Sequence, residues 1–500
     1  MSSLLTYKIG PSLIRCMYVL ILVAVVASGS SGCVSPSREG LPRDSPFREP
    51  VILAEDLLPQ GIAVGDVTAR GAVLWVRTDG PAAVQIEWMP SSPLEKVSHS
   101  SKGWVSRISP VLTTAETDYT LSIPIEGLAS ATRYRYQIWI GRAGRGEGQD
   151  LPKLAAKGEF ITLPDAATST PVTFAWSADL GGQGRCRQGP AGYPIFDVMR
   201  RKDLDFFLFL GDTIYSDSAC SSPPNEPGAD FVATTLDEYR ARHRYQRGAT
   251  SLRRLLETVP VYVTWDDHEV RNDFAGPFDD RMPAGRQALR DYWPIASLPD
   301  DPNRLYRSVR FGADLEIFML DTRQYRSRNA DQDGPDKTML GPMQLAWLIE
   351  GLTRSSATWK IIATTVPLSI PKGGQGYSDG WAAGPDVPGF ERERQVMVEA
   401  ILSRKIENVV FLAGDVHYVQ ANAYDPDNDG VIDFHEFVAG PLSAKPGRET
   451  PAHETLHPTR LVNEGGYYNF GLVRVTKTAF DVTVVDDAGE TRFAHRLMAR

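Results

Sequence analysis

Runs of apolar residues that end abruptly in polar residues recur along the C-terminal part of the chain. They predict strands at residues 172–176, 206–210, 261–265, 315–320, 360–366 and 409–412, followed by strands at 470–475 and 480–485. Apolar positions at helical spacing predict helices at 195–202, 236–243, 286–293, 342–355 and 391–404. Strands that are apolar on both faces must be covered on both sides, so the alternation predicts a layered α/β (α+β) domain over residues 170–498.

The preceding region, residues 53–165, has a different pattern. Short strand-like runs at 72–76, 84–88, 119–123 and 134–140 are separated by turns and show no helical period. Regular strand spacing without helices is typical of a β-sandwich. The segment Thr-Arg-Tyr-Arg-Tyr at 132–136 is similar to the start of a late strand in fibronectin type III modules. We therefore predict an N-terminal all-β, fibronectin-III-like sandwich domain.

The first residues have the pattern of a targeting segment. Lys8 and Arg15 precede an apolar run at 17–27 that is too short for a comfortable membrane span, which predicts a signal peptide at 1–33. Gly32-Cys33 resembles a bacterial lipobox, although Ser30 stands where an aliphatic residue is usual, so Cys33 is a lipidation candidate. An uncleaved anchor is the alternative. Residues 34–52 have the composition of a linker. We expect an exported protein, periplasmic or at the cell surface, whose membrane contact is limited to the signal or lipid anchor.

The net charge bears on the kind of partner, and the cysteine content bears on disulfide bonding. A formal net charge of −9 and a pI near 5.5 argue against a nucleic-acid-binding surface. Outside the leader, Cys186 and Cys220 are the remaining cysteines. Because exported proteins often pair such residues, we predict a Cys186–Cys220 disulfide, with two unrelated thiols as the alternative.

Four of the predicted strands end in side chains that bind metal ions. The carboxyl ends of strands in layered α/β folds face ligands, so these side chains are expected to meet. A site that uses hydroxide as a nucleophile at neutral pH needs metal ions, which act as Lewis acids and lower the pKa of bound water. A set of hard oxygen ligands with one imidazole suits Fe, Mn, Zn or Ca. The pattern predicts a dinuclear metal centre bridged by Asp212. The four strand ends supply Asp179; Asp212 with Tyr215; Asp266, Asp267, His268 and Asn272; and Asp415 with His417.

The order of these motifs resembles the calcineurin-like metallophosphoesterases. The order is Asp, Gly-Asp-x-x-Tyr, Asp-His-Glu and Gly-Asp-x-His. Trp-Asp-Asp-His-Glu at 265–269, Leu-Asp-Thr-Arg-Gln-Tyr-Arg at 320–326 and Phe-Leu-Ala-Gly-Asp-Val-His at 411–417 are similar to the alkaline phosphatase D (PhoD-like) branch. The resemblance covers roughly residues 50–490, because that family also begins with a small β-sandwich.

The resemblance implies a role for each matching residue. It places Asp179, Asp212, Tyr215 and His417 on a first metal, and Asp212, Asp267, Asn272 and Asp415 on a second. Two or more metal ions are expected, iron with calcium, with manganese and zinc as alternatives. His268 would lie beside the phosphate as an acid or hydrogen-bond donor, and Arg323 would contact the phosphate or brace the site. The choice between Asp266 and Asp267 stays open.

Two departures from the family pattern affect the expected metals. Better-known members have a cysteine ligand where Asp179 stands, so the first metal can differ here. The usual Gly-His-x-His is Gly414-Asp415-Val416-His417, which makes the second site harder and more like a calcium site.

A second acidic motif fits a calcium-binding loop. The spacing matches the twelve-residue EF-hand loop at its key positions, but the flanking residues favour strands over helices, so a solvated acidic hairpin is the alternative. The candidate ligands are Asp425, Asp427, Asp429, Asp433 and Glu436.

The sequence as a whole predicts a metal-dependent phosphoesterase that hydrolyses small-molecule phosphomonoesters at a dinuclear centre. A phosphodiesterase acting on phospholipid or wall polymer is the alternative enzyme. A catalytically weak surface module that binds a partner is the alternative from another class.

Overall fold

The computed structural model describes residues 51–91, 106–142 and 151–500. The predicted signal peptide, the lipidation candidate Cys33 and nearly all of the predicted linker lie outside these ranges, and these predictions are therefore not tested. In the described ranges, no helix is both long and apolar enough to span a bilayer.

Within the described ranges, eight strands form the N-terminal part of the fold. They are β1 (Val51–Ile52), β2 (Ile62–Gly65), β3 (Gly71–Arg77), β4 (Ala82–Pro90), β5 (Ser106–Thr113), β6 (Thr120–Glu126), β7 (Arg133–Arg142) and β8 (Lys153–Ile161). One sheet has the strand order β1-β8-β7-β4-β5. Buried and more exposed residues alternate along β7, so that Tyr136 and Ile138 pack in the same core cluster as Leu74 and Val76 of β3. The two sets of strands therefore face each other across an apolar layer, as the sandwich prediction requires.

The remaining elements alternate strands with helices and end in strands. The strands are β9 (Val172–Ser177), β10 (Phe206–Leu210), β11 (Val261–Thr264), β12 (Arg307–Phe311), β13 (Leu315–Met319), β14 (Trp359–Ala363), β15 (Val409–Ala413), β16 (Val419–Tyr424), β17 (Phe434–Val438), β18 (Pro458–Glu464), β19 (Asn469–Val475), β20 (Ala479–Asp486) and β21 (Thr491–Met498). The helices are α1 (Ile195–Arg200), α2 (Leu236–Arg247), α3 (Thr250–Thr258), α4 (Met282–Tyr292), α5 (Gly341–Arg354) and α6 (Glu391–Ser403).

The second sheet joins the N-terminal strands to the C-terminal ones. Its order is β21-β20-β19-β9-β10-β11-β2-β3-β6, and β2 pairs in parallel with β11 at Gly65 and Val261. One layer of the N-terminal sandwich is therefore continuous with the sheet that holds β9, β10 and β11. The third sheet has the order β12-β13-β14-β15-β17-β16-β18.

Strand β10 shows how the layers are packed. Phe206, Leu208 and Leu210 belong to the core cluster that also contains Ile361 of β14 and Leu412 of β15, so this face packs between the second and third sheets. The opposite face, with Phe207 and Phe209, packs in a cluster with Phe196 of α1 and Leu252 of α3. Helices α5 and α6 cover the outer face of the third sheet. The result is a pair of sheets between helical layers, which explains why β10 is apolar on both faces.

The predicted elements from residue 172 onward are all present, with ends shifted by a few residues. The predicted strand 360–366 ends at Ala363, because the chain turns where the Thr364 hydroxyl donates to the Val366 carbonyl at 3.1 Å. Helix α3 was not predicted. Its buried leucines are Leu252, Leu255 and Leu256, a pattern too short to stand out by period alone.

Candidate metal centre

The predicted metal ligands lie at one edge of the two sheets. Strands β9, β10 and β11 are parallel neighbours in the second sheet, and β13, β14 and β15 are parallel neighbours in the third. Directly after these strands, four candidate ligands have a positive φ: Asp179 (67°), Asp212 (51°), Asp415 (71°) and His417 (62°). This left-handed region is uncommon for residues other than glycine and is concentrated at functional sites.

Gly211 allows two of these strand ends to approach closely. Its φ is 87°, and a Cβ atom at this position would lie 2.6 Å from both Cβ and the backbone nitrogen of Asp266. A side chain would therefore separate the end of β10 from the end of β11. The Gly-Asp pair in the sequence thus has a steric reason, since the glycine makes room and the aspartate follows at once.

A first cluster combines Asp179, Asp212 and His417, which offer ligand atoms within 4.8 Å of one another. Nδ1 of His417 lies 2.7 Å from the carbonyl of Lys445 and must donate to it, so Nε2 is the acceptor of the Tyr215 hydroxyl at 2.7 Å. Burial lowers the pKa of His417 to about 3, which keeps its ring neutral. A neutral imidazole fixed by a carbonyl is the form that binds a metal ion.

A second cluster combines Asp266, Asp267 and Asp415, whose ligand atoms also lie within 4.8 Å of one another. Oδ1 of Asp266 accepts hydrogen bonds from Arg323 and Thr365, whereas Oδ2 of Asp267 accepts one from the backbone of Asp273 at 2.7 Å. Asp267 also shares a second group of close ligand atoms with Asp212 and His268, which Asp266 does not. This position brings Asp267 near the residue predicted to bridge the two metals.

The carboxylates fit metal ions because several of their buried oxygens have no hydrogen-bond partner in the described part of the chain. These atoms are both oxygens of Asp179, Oδ2 of Asp266, Oδ1 of Asp267 and Oδ2 of Asp415. Burial raises the pKa of Asp179 to about 8, and burial likewise raises the pKa values of Asp212 and Asp415. Buried anions without partners are costly, and hard cations are the natural partners of such an oxygen set.

His268 lies between the two clusters and is held on three sides. Its backbone N–H donates to Oδ1 of Asp212 at 3.1 Å, and its Nδ1 lies 2.7 Å from Oδ1 of Asp217. Its ring stacks on Tyr215 with centroids 4.1 Å apart. Burial lowers the pKa of His268, but the carboxylates of Asp267 and Asp217 outweigh burial and raise it to about 9. Asp217 was not singled out from the sequence, although it follows the Gly-Asp-x-x-Tyr motif after one residue.

Arg323 braces the site, and its predicted catalytic role stays a prediction. Its side chain is fully buried, with Nε 2.6 Å from Oδ1 of Asp266 and both terminal nitrogens 2.8 Å from the oxygens of Asp379. Each of the three guanidinium nitrogens thus donates a hydrogen bond to a protein carboxylate, which fixes the position of the side chain. Of the two roles that the sequence left open for Arg323, the structure supports bracing.

Asn272 lies in a more open position than the other predicted ligands. It is exposed, and its backbone N–H donates to Oδ2 of Asp217 at 2.7 Å. Its side chain makes no hydrogen bond in the ranges that the structure describes. Its role as a metal ligand therefore stays a prediction.

Three further residues of the site were missed by sequence reasoning. Glu269 is fully buried and accepts backbone hydrogen bonds from Asp212, Thr213 and Asp266, which ties together the ends of β10 and β11. Asp379 is the partner of Arg323, and Lys372 forms an ion pair with Asp415. The segment 372–379 carries three glycines, a composition that marks a loop but does not indicate where the loop packs.

Cys186 and Cys220 form a disulfide, with Cα atoms 6.0 Å apart. Cys186 follows β9 and Cys220 follows β10, so the bond links the two loops that leave these strand ends. The loops that carry Asp179 and Asp212 are thereby connected beside the first cluster.

The acidic loop 425–433 connects β16 to β17 and is not an EF-hand. Strands flank it, and its ligand atoms from Asp425, Asp427 and Asp433 lie within 4.8 Å of one another. The prediction of Glu436 as a ligand is wrong. Glu436 lies in β17, is fully buried and accepts hydrogen bonds from the backbone of Leu368 and the hydroxyl of Tyr424, both at 2.7 Å. Calcium binding by the remaining residues, including Asp429, stays a prediction.

Comparisons with known structures define the class of fold. A structure titled "Structure of PhoD" matches with a TM-score of 0.70 and 24% identity, over 89% of this chain and 91% of that one. Purple acid phosphatase PPD1 from yellow lupin (Lupinus luteus) seeds matches with a TM-score of 0.60 and 11% identity, over 88% of this chain and 75% of that one. The fold is therefore that of a metallophosphoesterase.

Sequence comparison identifies the family within this class. Residues 176–484 match the PhoD-like phosphatase family, and residues 49–164 match the N-terminal domain of PhoD-like phosphatases. The chain belongs to the PhoD-like phosphatase family. It is 29% identical to alkaline phosphatase D of Bacillus subtilis (strain 168) in an alignment of 402 positions that covers 71% of this chain and 64% of that protein. The matched region thus spans slightly less than two thirds of that relative.

Proposed function

We propose that this protein is an exported, metal-dependent phosphoesterase that hydrolyses phosphomonoesters. The observation that carries the proposal is the set of buried carboxylate oxygens at the ends of β9, β11 and β15 that have no hydrogen-bond partner among the described residues. Family membership and the fold support it. The predicted signal peptide supports export, as do the two cysteines that pair beside the site. Residues 53–165 form its N-terminal sandwich and residues 170–498 its catalytic part.

The predicted ligands divide between two ions. Asp179, Asp212, Tyr215 and His417 would hold the first, and Asp212, Asp267, Asn272 and Asp415 would hold the second. Iron with calcium is the proposed pair. When bound, such ions supply the Lewis acidity that activates water and stabilises charge on a phosphoryl group.

The other residues of the site orient these groups. Because Asp217 holds Nδ1 of His268, the ring is directed so that Nε2 lies 3.9 Å from Oδ1 of Asp267. His268 is thus placed at the edge of the second cluster, where it donates a hydrogen bond or a proton to the phosphate ester. Glu269 and Arg323 keep the strand ends in register.

The proposal is tested with a chromogenic phosphomonoester and its matching diester, assayed side by side on the purified metal-loaded protein. Monoester turnover should be faster, and Asp212→Asn should lower it by at least about 100-fold because a shared ligand of both ions is lost. The control is Asp237→Asn, which removes a carboxylate that is 93% exposed at the start of α2. Faster diester turnover would instead assign a phosphodiesterase, and absence of both activities in metal-loaded protein would overturn the proposal.

A further inference from the structure

A cavity of about 290 Å³ lies beside the second carboxylate cluster. It is formed by the loop after β11, the loop after β13 and the glycine-containing loop that carries Lys372. The lining residues that matter for its chemistry are Arg271, Asp273, Phe278, Arg328, Asn329 and Tyr377.

This cavity shares a wall with the candidate metal centre. The backbone N–H of Asp273 donates to Oδ2 of Asp267 at 2.7 Å, and the hydroxyl of Tyr377 donates to Oδ2 of Asp273 at 2.8 Å. Asn329 donates to the carbonyl of Asp273 at 3.0 Å and to Asp379 at 2.8 Å. The same residues therefore line the cavity and contact the carboxylates, so a group in the cavity lies next to the second carboxylate cluster.

Among the described residues that line the cavity, Arg328 is a cation whose side chain has no ion-pair partner. Its guanidinium lies 4.0 Å from the ring centre of Phe278 and is exposed, with no hydrogen bond or ion pair from its side chain within the described ranges. Phe278 is itself 51% exposed, and the guanidinium of Arg328 packs on its ring. A stacked guanidinium keeps its plane fixed, which lowers the entropy lost when it binds a second anion.

The carboxylates of the cavity do not neutralise Arg328. Oδ2 of Asp279 is paired with Nε of Arg271, and its Oδ1 accepts the backbone N–H of Arg281 at 3.0 Å. Asp273 is held by Tyr377. Arg271 is 53% exposed, and its two terminal nitrogens have no partner among the described residues. Two guanidinium groups thus present unused donors to one cavity.

We propose that this cavity binds the alcohol portion of a phosphate ester when that portion carries a second anionic group, which Arg328 holds with the assistance of Arg271. The inference rests on the proposed phosphoesterase function and names the substrate class. Planar guanidinium groups bind phosphate and carboxylate through paired hydrogen bonds.

The test compares two series of substrates that differ only in the second charge. Monophosphates and bisphosphates of straight-chain diols, from propanediol to hexanediol, are assayed by release of inorganic phosphate. The wild-type protein should have a lower KM for the bisphosphate at the spacer that reaches Arg328. Arg328→Ala should raise that KM about tenfold, leaving kcat and the monophosphate KM nearly unchanged.

Two further variants test whether the planar guanidinium at position 328 is needed, or whether any positive charge on the surface is enough. Arg328→Lys keeps the charge but loses the planar pair of donors, so it should recover only part of the bisphosphate preference. Arg392→Ala is the matched control, because it removes an exposed arginine on α6, away from the cavity lining. It should leave both KM values unchanged.

Each other outcome contradicts the subsite. Equal KM changes for monophosphates and bisphosphates in Arg328→Ala would overturn it, as would an unchanged bisphosphate KM at every spacer. In both cases wild-type turnover of the monophosphates would leave the phosphoesterase proposal standing. If the wild-type protein hydrolyses neither series, the phosphoesterase proposal fails and the subsite fails with it.

Discussion

Tyr215 lies between the two histidines of the candidate centre. Its ring stacks on His268 and its hydroxyl donates to His417 at 2.7 Å. Both contacts come from one side chain, but they depend on different parts of it. The ring positions His268, whereas the oxygen is the atom proposed to bind the first metal.

Substitution of Tyr215 by Phe separates these two contributions. If the first metal is ferric iron bound by the Tyr215 oxygen, the iron-loaded wild-type protein should show a visible phenolate-to-metal absorption band. Tyr215→Phe keeps the ring and removes the oxygen, so the band should disappear. Absorption spectroscopy at equal iron content is the measurement, and Tyr418→Phe is the control because that hydroxyl contacts Thr450. A band of unchanged strength in Tyr215→Phe, or no band in iron-loaded wild type, would contradict the assignment.

At the scale of elements, helix α3 contains a largely buried acidic side chain, Glu257, at the boundary with β2. Burial raises the pKa of Glu257 to about 7. An ion pair with Arg253 would act in the opposite direction, but the two groups are 3.7 Å apart and Oε1 of Glu257 has no hydrogen-bond partner in the described part of the chain. The effect of burial on the pKa of Glu257 is therefore larger than the effect of Arg253.

The raised pKa makes stability depend on pH. Because the folded state holds the Glu257 proton more tightly than the unfolded state, its contribution is complete below about pH 4.5 and is lost as pH rises through about 7. Glu257→Gln should make stability less dependent on pH in this window and be more stable than wild type at pH 8 by about 3 kcal/mol. Urea unfolding at several pH values measures the effect.

Glu55→Gln is the matched control for Glu257→Gln. Its carboxylate is 70% exposed and lies 3.8 Å from the same arginine. Glu55→Gln should leave the pH dependence of the free energy of unfolding as in the wild-type protein. The same pH slope in Glu257→Gln and wild type would show that Glu257 titrates normally.

On the scale of the whole molecule, the candidate centre connects the two large sheets. Asp179 and Asp212 follow strands of the second sheet, and Asp415 follows a strand of the third. Without cations, these buried carboxylates repel one another. Bound ions would therefore hold together the ends of two sheets that have no strand pairing with each other in the described ranges.

Removal of metal should consequently destabilise the fold. Ions that bind only the folded state add about 3 kcal/mol at a hundredfold excess over Kd. Treatment with chelators should lower Tm by several degrees, and readdition of metal should restore it. Scanning calorimetry of the wild-type protein and Asp212→Asn checks this result, since the variant should respond much less to chelation. An unchanged wild-type Tm after verified metal removal would contradict the prediction.

The sequence by itself determined the strand ends and most of the candidate ligands. Asp179, Asp212, Asp267 and Asp415 each follow an apolar run, and local pattern is enough to show where a buried strand stops. Parallel neighbours then bring those ends together, which made the clustering predictable before any distance was known.

Only the tertiary structure decided what surrounds the ligands. Asp217, Lys372 and Asp379 reach the site from loops, and no local period indicates how a loop packs. Glu436 fits a calcium motif by spacing, but its pairing in β17 directs it to buried partners. The pairing of Gly65 with Val261 joins residues far apart in the chain. Such contacts depend on the relative placement of whole elements, which short-range patterns of apolar and polar residues do not encode.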